Sequence, residues 1–142
     1  MLVRLTYASR AAQPLDPEEL AHIARQSRAH NLQHGVTGVL CQSGDLFLQV
    51  LEGGRDAVNR LYNRIARDGR HAEVTLLAYE EITERRFAGW AMGQVNLARL
   101  NPGLLLKYSE KPTLDPYAIT GRAATALFEE LVATAAIVCP GG

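Results

Sequence analysis

The sequence predicts an α+β fold, in which helices pack against a mixed β-sheet, and three observations support this prediction. The chain has 142 residues, which suits one domain with its own hydrophobic core. Apolar residues make up 47% of the chain and charged residues 21%, close to the average for folded proteins, so disorder is not expected. Stretches with strand-like alternation and stretches with helical spacing follow one another along the chain.

The first strand and the first helix have clear start and stop signals. Apolar and polar residues alternate over residues 2–7, which predicts a strand that ends in the small and polar residues 8–13. Asp16 is a typical helix cap, followed by Pro17 in the first helical position and by a glutamate three residues past the cap. Gly35 predicts the end of this helix.

The middle of the chain predicts a hairpin and a second helix. Residues 36–41 and 46–51 are apolar runs, and the Ser43-Gly44-Asp45 sequence between them predicts the turn of a hairpin. The second helix carries an apolar stripe at helical spacing and is predicted to end at Asp68-Gly69. The last two strands are predicted at residues 74–79 and 90–95.

This order of elements corresponds to the split βαβ arrangement of the ferredoxin-like fold, βαββαβ, with one extra strand. Two helices are expected on one face of the sheet. The opposite face then needs a cover, and the residues after the last strand can supply it through an amphipathic helix. The apolar stripe of that helix consists of Leu127, Phe128, Leu131, Val132 and Ala135.

Charge, cysteine content and the lack of long apolar stretches argue against several classes of protein. Fifteen basic and fifteen acidic residues give a net charge of zero, which argues against a nucleic-acid-binding protein. The N-terminus lacks the features of a signal peptide, and no stretch approaches the ~20 apolar residues that cross a bilayer. We therefore expect a cytoplasmic protein without membrane contact. Cys41 and Cys139 suggest neither a disulfide framework nor a zinc site, and no metal is expected.

Gln49 breaks the pattern of an apolar strand. It shares a strand face with Phe47 and Leu51, so it points to the core if they do. A buried amide without hydrogen-bond partners costs ~1–3 kcal/mol. Either the strand face is exposed, or a helix side chain bonds the amide, or a ligand does.

Three further polar residues are predicted near Gln49. Each has an ordinary explanation, since Asn31 can help to end its helix, Ser27 can bond a helix carbonyl, and Tyr7 can be a core tyrosine. Together they form a polar cluster where the first helix meets the sheet. Such a cluster suits a planar ligand that is rich in carbonyls and ring nitrogens.

The second helix adds positive charge. Arg60 and Arg67 are explained by a solvated helix face, whereas Arg64 and His71 are better placed to reach a ligand between the helices. The chain has no Gly-rich phosphate loop, nucleophile elbow or His-Glu metal motif, so the usual enzyme signatures are missing.

Six stretches of the chain resemble the family of sensors of blue light using flavin adenine dinucleotide, the BLUF domains. They occur in the family's order and lie within residues 1–96. The stretches are Leu5-Thr6-Tyr7-Ala8-Ser9, Ser27-Arg28-Ala29-His30-Asn31, Gly35-Val36-Thr37-Gly38-Val39-Leu40, Phe47-Leu48-Gln49-Val50-Leu51-Glu52-Gly53, Asp68-Gly69-Arg70-His71 and Arg86-Phe87-Ala88-Gly89-Trp90-Ala91-Met92.

The resemblance implies a non-covalently bound FAD whose ring system lies between the two helices. By position, Tyr7 is similar to the photochemical donor of an electron and a proton, and Gln49 to the switch that bridges the tyrosine and the ring. Asn31 is similar to the asparagine that bonds the carbonyl edge of the ring. The remaining implied site residues are Ser27 near Asn31; Arg64, Asp68 and His71 near the ribityl and phosphate side; and Trp90 and Met92, a pair on the last strand that can exchange places beside the glutamine.

The resemblance also implies a photoreceptor rather than an enzyme. Residues 1–96 are expected to form the flavin-binding domain and residues 97–142 a C-terminal helical extension. We expect no appended catalytic domain, so the output is expected to pass through the extension by contact with an unidentified downstream protein. Self-association into a homo-oligomer through the apolar stripe of the C-terminal helices is expected as well, although the same stripe could instead cover the sheet.

Two other functions remain open from the residues alone. A small acylphosphatase-like hydrolase on the same fold would use an arginine in a loop near the first strand and an asparagine that orients water. Arg10 and Asn31 match that requirement weakly, and Gln49 would have no explanation. A ligand-free interaction module is the second alternative.

Overall fold

The computed structural model describes residues 1–134 and residue 137. Within this part of the chain, five strands form one sheet, and the longer helices follow the predicted order. The elements are β1 (Leu2–Ala11), α1 (Pro17–His34), β2 (Thr37–Ser43), β3 (Leu46–Gly54), α2 (Arg55–Arg67), β4 (His71–Ile82), β5 (Gly93–Asn96), α3 (Pro102–Leu106) and α4 (Gly121–Ala133), with short 3-10 turns at Leu97–Arg99 and Pro116–Ala118.

The sheet has the topology that the sequence predicts. Its strand order is β4-β1-β3-β2-β5. The β1 strand pairs antiparallel with both β3 and β4, and β2 pairs antiparallel with β3. The extra strand β5 pairs parallel with β2, so the sheet is mixed. The ferredoxin-like prediction with one added strand is confirmed.

The predicted signals at the ends of α1 act as expected. The Asp16 carboxylate accepts a hydrogen bond from the backbone N–H of Glu19 at 2.8 Å, and Pro17 is the first helical residue. Gly35 ends the helix in the left-handed conformation, with φ of 68°. Glycine adopts this conformation without steric cost, which explains its place at the helix end.

Strand β1 is longer than its sequence pattern predicts. Small and polar residues after Tyr7 indicated a strand end, yet Ala8, Ser9 and Arg10 continue the ladder opposite β3. Pairing with two neighbours fixes the backbone here and overrides the weak local preference of these residues. Strand β4 is extended by the same pairing, from residues 74–79 to His71–Ile82.

The prediction of a fifth strand over residues 90–95 is wrong at its beginning. Strand β5 starts at Gly93, so Trp90 and Met92 lie before the strand and not on it. The Ala91 carbonyl bonds outside the sheet, because it accepts from the Asn31 side chain of α1 at 2.6 Å, whereas the Trp90 carbonyl still accepts from the Gly38 N–H of β2 at 2.9 Å.

Two hydrophobic cores lie on opposite faces of the sheet, as the alternation along β3 requires. We call the face covered by α1 and α2 the cavity face; its core includes Leu5, Leu51 and Val58. We call the other face the extension face, because residues after β5 cover it, and its core includes Leu48 and Phe128.

The predicted covering of the extension face is confirmed, because the described residues of the α4 stripe pack there: Leu127, Phe128, Leu131 and Val132. Ala135 and Cys139, which also entered the sequence analysis, lie outside the described residues. Across residues 1–134 and 137, the structure contains no helix that combines the length and the apolar character needed to span a membrane.

Candidate functional site

A cavity of about 360 Å³ lies between α1, α2 and the cavity face of the sheet. This volume falls in the range of pockets for small organic ligands, about 300–1,000 Å³. Eight of the nine site residues predicted from the sequence line the cavity. They are Tyr7, Ser27, Asn31, Gln49, Arg64, Asp68, His71 and Met92.

The side-chain amide of Gln49 points into the cavity face and is 5% exposed. Strands β1 and β3 place Tyr7 directly opposite Gln49 in the ladder, and the Tyr7 hydroxyl donates to Gln49 Oε1. The other end of the amide, Nε2, donates to the sulfur of Met92 at 3.1 Å. The amide therefore bridges a phenol and a thioether, and the alternative in which this strand face is exposed is wrong.

The Tyr7 phenol is held in its protonated form. Its side chain is 1% exposed, and burial raises the pKa of the hydroxyl far above its ordinary value, with a further rise from Tyr62. The rings of Tyr7 and Tyr62 meet edge to face with centroids 5.6 Å apart. A buried phenol that keeps its proton remains a hydrogen-bond donor to Gln49 at any physiological pH.

Asn31 has a polar atom without a partner. The residue is 1% exposed, and its Nδ2 donates to the carbonyl of Ala91 at 2.6 Å. Its Oδ1 is buried and has no hydrogen-bond partner among the described residues. Because a buried acceptor without a donor costs free energy, this atom calls for a donor from a bound molecule. The ring N–H between the two carbonyls of a flavin is such a donor, so Asn31 fits the group.

The mouth of the cavity carries polar and charged groups. The Arg64 guanidinium donates to His30 Nδ1 at 3.1 Å. Hydrogen bonds from Arg70 lower the pKa of Asp68 to about 2, so this carboxylate is ionised. These groups combine donors for anionic oxygens with an acceptor for hydroxyl groups.

His71 is half-buried at the same mouth and is hydrogen-bonded to the Ser9 hydroxyl at 3.1 Å. Burial lowers the pKa of the imidazole, and the nearby Asp68 carboxylate opposes this effect only in part. The ring is therefore neutral near pH 7 and can both donate and accept a hydrogen bond.

Trp90 lies outside the cavity, whereas Met92 lies beside Gln49. The Trp90 side chain packs against the core of the extension face, on the far side of the sheet from the cavity. In this structure the thioether of Met92, which is 1% exposed, fills the place next to the amide. The sequence left open which of the two residues takes that place.

Sequence reasoning missed several residues that line the cavity. Leu20 and Ile23 belong to the same helical stripe of α1 as the predicted Ser27 and Asn31, so helical spacing alone could have identified them. Arg70 also lines the cavity, and its position within the Asp68–His71 turn was the available signal.

An α+β fold that carries a cavity with a buried phenol–amide pair on its floor defines a small-molecule-binding domain. Comparison with known proteins identifies its family. Residues 2–93 match the family model described as BLUF, sensors of blue-light using FAD, and the chain therefore belongs to the BLUF family. BLUF domains bind FAD, and the photosensory function expected from the sequence is confirmed at the level of the family.

Named relatives support this assignment. The chain is 42% identical over 84 residues to the photoactivated adenylate cyclase subunit beta of Euglena gracilis. The match covers 59% of this chain and 10% of the cyclase subunit, so the chain spans about a tenth of that relative's length.

Solved structures of similar length give a fuller match. The dark state of BlrB, a BLUF protein, is 35% identical with a TM-score of 0.78, and the match covers 94% of this chain and 96% of BlrB. The photo-activated state of BlsA is 29% identical with a TM-score of 0.81, and the match covers 93% of this chain and 95% of BlsA.

Proposed function

We propose that this chain is a blue-light photoreceptor whose switch is the hydrogen-bonded pair of Tyr7 and Gln49. The observation that carries the proposal is the Tyr7 hydroxyl donating to the Gln49 amide on the floor of the cavity. Neither an acylphosphatase-like hydrolase nor a ligand-free module needs a buried amide at that place. The family assignment also favours the sensor over both.

The cavity residues divide into two groups by the part of FAD that they suit. Asn31 and Gln49 offer amide groups for the carbonyls and nitrogens of the ring, with Ser27 beside Asn31 on α1. At the mouth, the Asp68 carboxylate suits the ribityl hydroxyls. Arg64 suits a phosphate oxygen, and neutral His71 suits either partner.

The bound flavin supplies absorption of blue light and an excited state that accepts an electron. Tyr7 is placed to donate that electron and then its hydroxyl proton, because its phenol is buried and protonated. The proton would pass along the hydrogen bond towards Gln49 Oε1, which removes the donor that faces the amide. An electron and a proton would return to Tyr7 once the amide has rearranged, so that no net oxidation remains.

An amide has a donor end and an acceptor end, so Gln49 would then reorient or change its tautomer. It would offer the ring carbonyl a different hydrogen bond, which shifts the absorption slightly to the red. Met92, on Gln49 Nε2, is the first side chain outside this pair to sense the change.

Output in this proposal passes from the flavin-binding domain, residues 1–96, to the extension, residues 97–142. It then passes by contact to a downstream protein in the cytoplasm. The apolar stripe of α4 is buried against the sheet, so self-association would use other surfaces. Leu106 on α3 is one exposed apolar side chain in the extension, at 50% exposure.

Spectroscopy of the purified protein tests the proposal. The protein is expected to carry FAD, released intact by denaturation, and to show a reversible red shift of the flavin bands under blue light. A colourless protein that does not take up added FAD would overturn the proposal. A bound flavin without any light-induced shift would limit the protein to flavin binding.

A further inference from the structure

The stretch between β4 and β5 is held by a buried carboxylate. We call residues 85–92 the pre-β5 segment. Glu52, on the extension face of β3, accepts hydrogen bonds from two backbone N–H groups of this segment. The Phe87 N–H lies 2.7 Å from Glu52 Oε1, and the Arg86 N–H lies 3.0 and 3.1 Å from the two oxygens.

Glu52 is itself fixed in place. The residue has 0% exposure, and Arg4 donates to its Oε2 through Nε at 2.9 Å and through Nη2 at 2.8 Å. A carboxylate without partners is costly to bury. Even a paired one is often no more stabilising than an apolar side chain of similar size. Between them, the two oxygens of Glu52 accept from one guanidinium and two backbone N–H groups. Glu52 therefore holds the segment with a defined geometry.

The anchored residues also contact the C-terminal extension. The Phe87 ring is fully buried and meets Phe128 of α4 edge to face, with centroids 5.9 Å apart. The Arg86 guanidinium pairs with Glu129 of α4 at 3.1 Å. The beginning of the pre-β5 segment is therefore bound to Glu52 on one side and to α4 on the other.

The end of the same segment contacts the cavity. Met92 accepts from Gln49 Nε2, and the Ala91 carbonyl accepts from Asn31 Nδ2. Four residues separate Phe87 from Met92, so a change at the amide reaches the α4 contacts through one short stretch of chain.

We propose that Glu52 is a positioning residue that holds the pre-β5 segment in its resting place and so links Gln49 to α4. The inference rests on the proposed function, in which light changes the hydrogen bonds of Gln49. A new pattern at Nε2 alters the hydrogen bond to Met92 while Glu52 keeps the backbone N–H groups of Arg86 and Phe87 in place. The segment then turns about these N–H groups, which reorients the Arg86 and Phe87 side chains against Glu129 and Phe128 of α4.

Glu52→Gln tests the anchor, and Glu80→Gln is the matched control. Glutamine directs an NH₂ group at either Arg4 or the backbone N–H groups, where two donors then face each other. Glu80 also bonds Arg4, at 2.8 Å, but it is half-exposed and shares no bond with the pre-β5 segment. Each variant removes one negatively charged partner of the Arg4 guanidinium.

Trp90 provides a direct readout, because it lies in the segment and is the single tryptophan of the chain. Labelling with 5-fluorotryptophan gives one ¹⁹F resonance, which is recorded on the FAD-loaded protein in the dark and under blue light. The second readout is the rate of dark recovery of the red-shifted spectrum.

Glu52→Gln is expected to shift or broaden the dark ¹⁹F resonance and to change the recovery rate by about threefold or more, while the red shift itself persists. Glu80→Gln is expected to match the wild-type protein in both readouts. A Glu52→Gln protein with a lower Tm but a wild-type resonance and recovery rate would overturn the proposal and leave Glu52 a purely structural role.

Two outcomes need separate treatment. If Glu52→Gln does not fold, Phe87→Leu loosens the same segment from α4 and is expected to move the resonance and the recovery rate; wild-type values for both would overturn the proposal. If the wild-type protein has no photocycle, the proposed function fails, and the dark ¹⁹F comparison alone decides whether Glu52 holds the segment.

Discussion

The two faces of the sheet bury polar groups in opposite ways. On the cavity face, Asn31 Oδ1 has no hydrogen-bond partner among the described residues, and the Gln49 amide uses a sulfur as one of its two partners. On the extension face, both oxygens of Glu52 are bonded, and its partner Arg4 bonds a second carboxylate. Thr6, on the Arg4 side of β1, is an exception, because its buried hydroxyl also has no hydrogen-bond partner in the part of the chain that the structure describes.

This difference indicates what each face is for. The extension face, where the buried charged groups of Arg4 and Glu52 are bonded without a ligand, contributes to stability in the free protein. A face with an unbonded acceptor next to a cavity becomes complete when a ligand supplies the donor. Substitutions on the extension face should therefore change stability, and those on the cavity face should change flavin binding and photochemistry.

The largest stability effect is expected from Phe128→Ala. The ring is fully buried in the core of the extension face and meets Phe87 edge to face. Its removal should lower the free energy of unfolding by about 3–5 kcal/mol, because it leaves a cavity. Urea denaturation measures the loss. A loss of less than about 1 kcal/mol would show that this face is not the main source of stability.

An intermediate effect, on flavin affinity, is expected from Asn31→Ala. Removing the side chain takes away the buried acceptor that a ligand donor would meet, which should weaken FAD binding by about 1–3 kcal/mol, roughly 5- to 150-fold in Kd. Equilibrium titration of the apoprotein with FAD, followed by flavin fluorescence, measures the change.

Thr6→Val is the matched control for Asn31→Ala, since it removes a buried side-chain oxygen on the opposite face that also lacks a partner within residues 1–134 and 137. It should leave the Kd for FAD unchanged and stabilise the protein slightly, because a buried hydroxyl without a partner is unfavourable. Equal losses of FAD affinity in both variants would contradict the division between the faces.

The smallest effect concerns pH. Burial lowers the pKa of His71 below its ordinary value of 6.5, so the unfolded chain binds a proton more readily than the folded chain does. The contribution of neutral His71 to the free energy of unfolding is therefore fully present above about pH 6.5, and it is lost as the pH drops through and below that value. Urea midpoints from pH 7.5 to 5.5 should decrease, and His71→Gln should flatten part of this slope. An unchanged slope in the variant would assign the effect elsewhere.

Local signals in the sequence were sufficient to predict the helices and strands and most of the predicted residues that line the cavity. The cap at Asp16, the turn at Gly44 and the stripe of α1 each depend on neighbouring residues only, and each prediction was correct. The amide of Gln49 was predictable as an inward polar group because strand alternation is regular.

Features that depend on distant partners could not be predicted in this way. The full length of β1 follows from pairing with β3 and β4, and the late start of β5 follows from the Ala91 carbonyl, which accepts from the Asn31 side chain of α1 instead of a strand. The position of Trp90 on the extension face also depends on residues that are distant in the sequence, because its side chain packs against the core of that face. The anchoring by Glu52 joins residues 34 and 35 positions apart, which no local pattern contains.

The most direct test of the account is the light-minus-dark absorption spectrum of Gln49→Leu, recorded beside Tyr7→Phe and the wild-type protein. Each variant removes one partner of the bond on the cavity floor and leaves the polar groups at the cavity mouth in place. We expect both variants to retain bound flavin and neither to show the reversible red shift of the wild-type protein. A full, reversible red shift in both variants would contradict the assignment of Tyr7 and Gln49 as the switch.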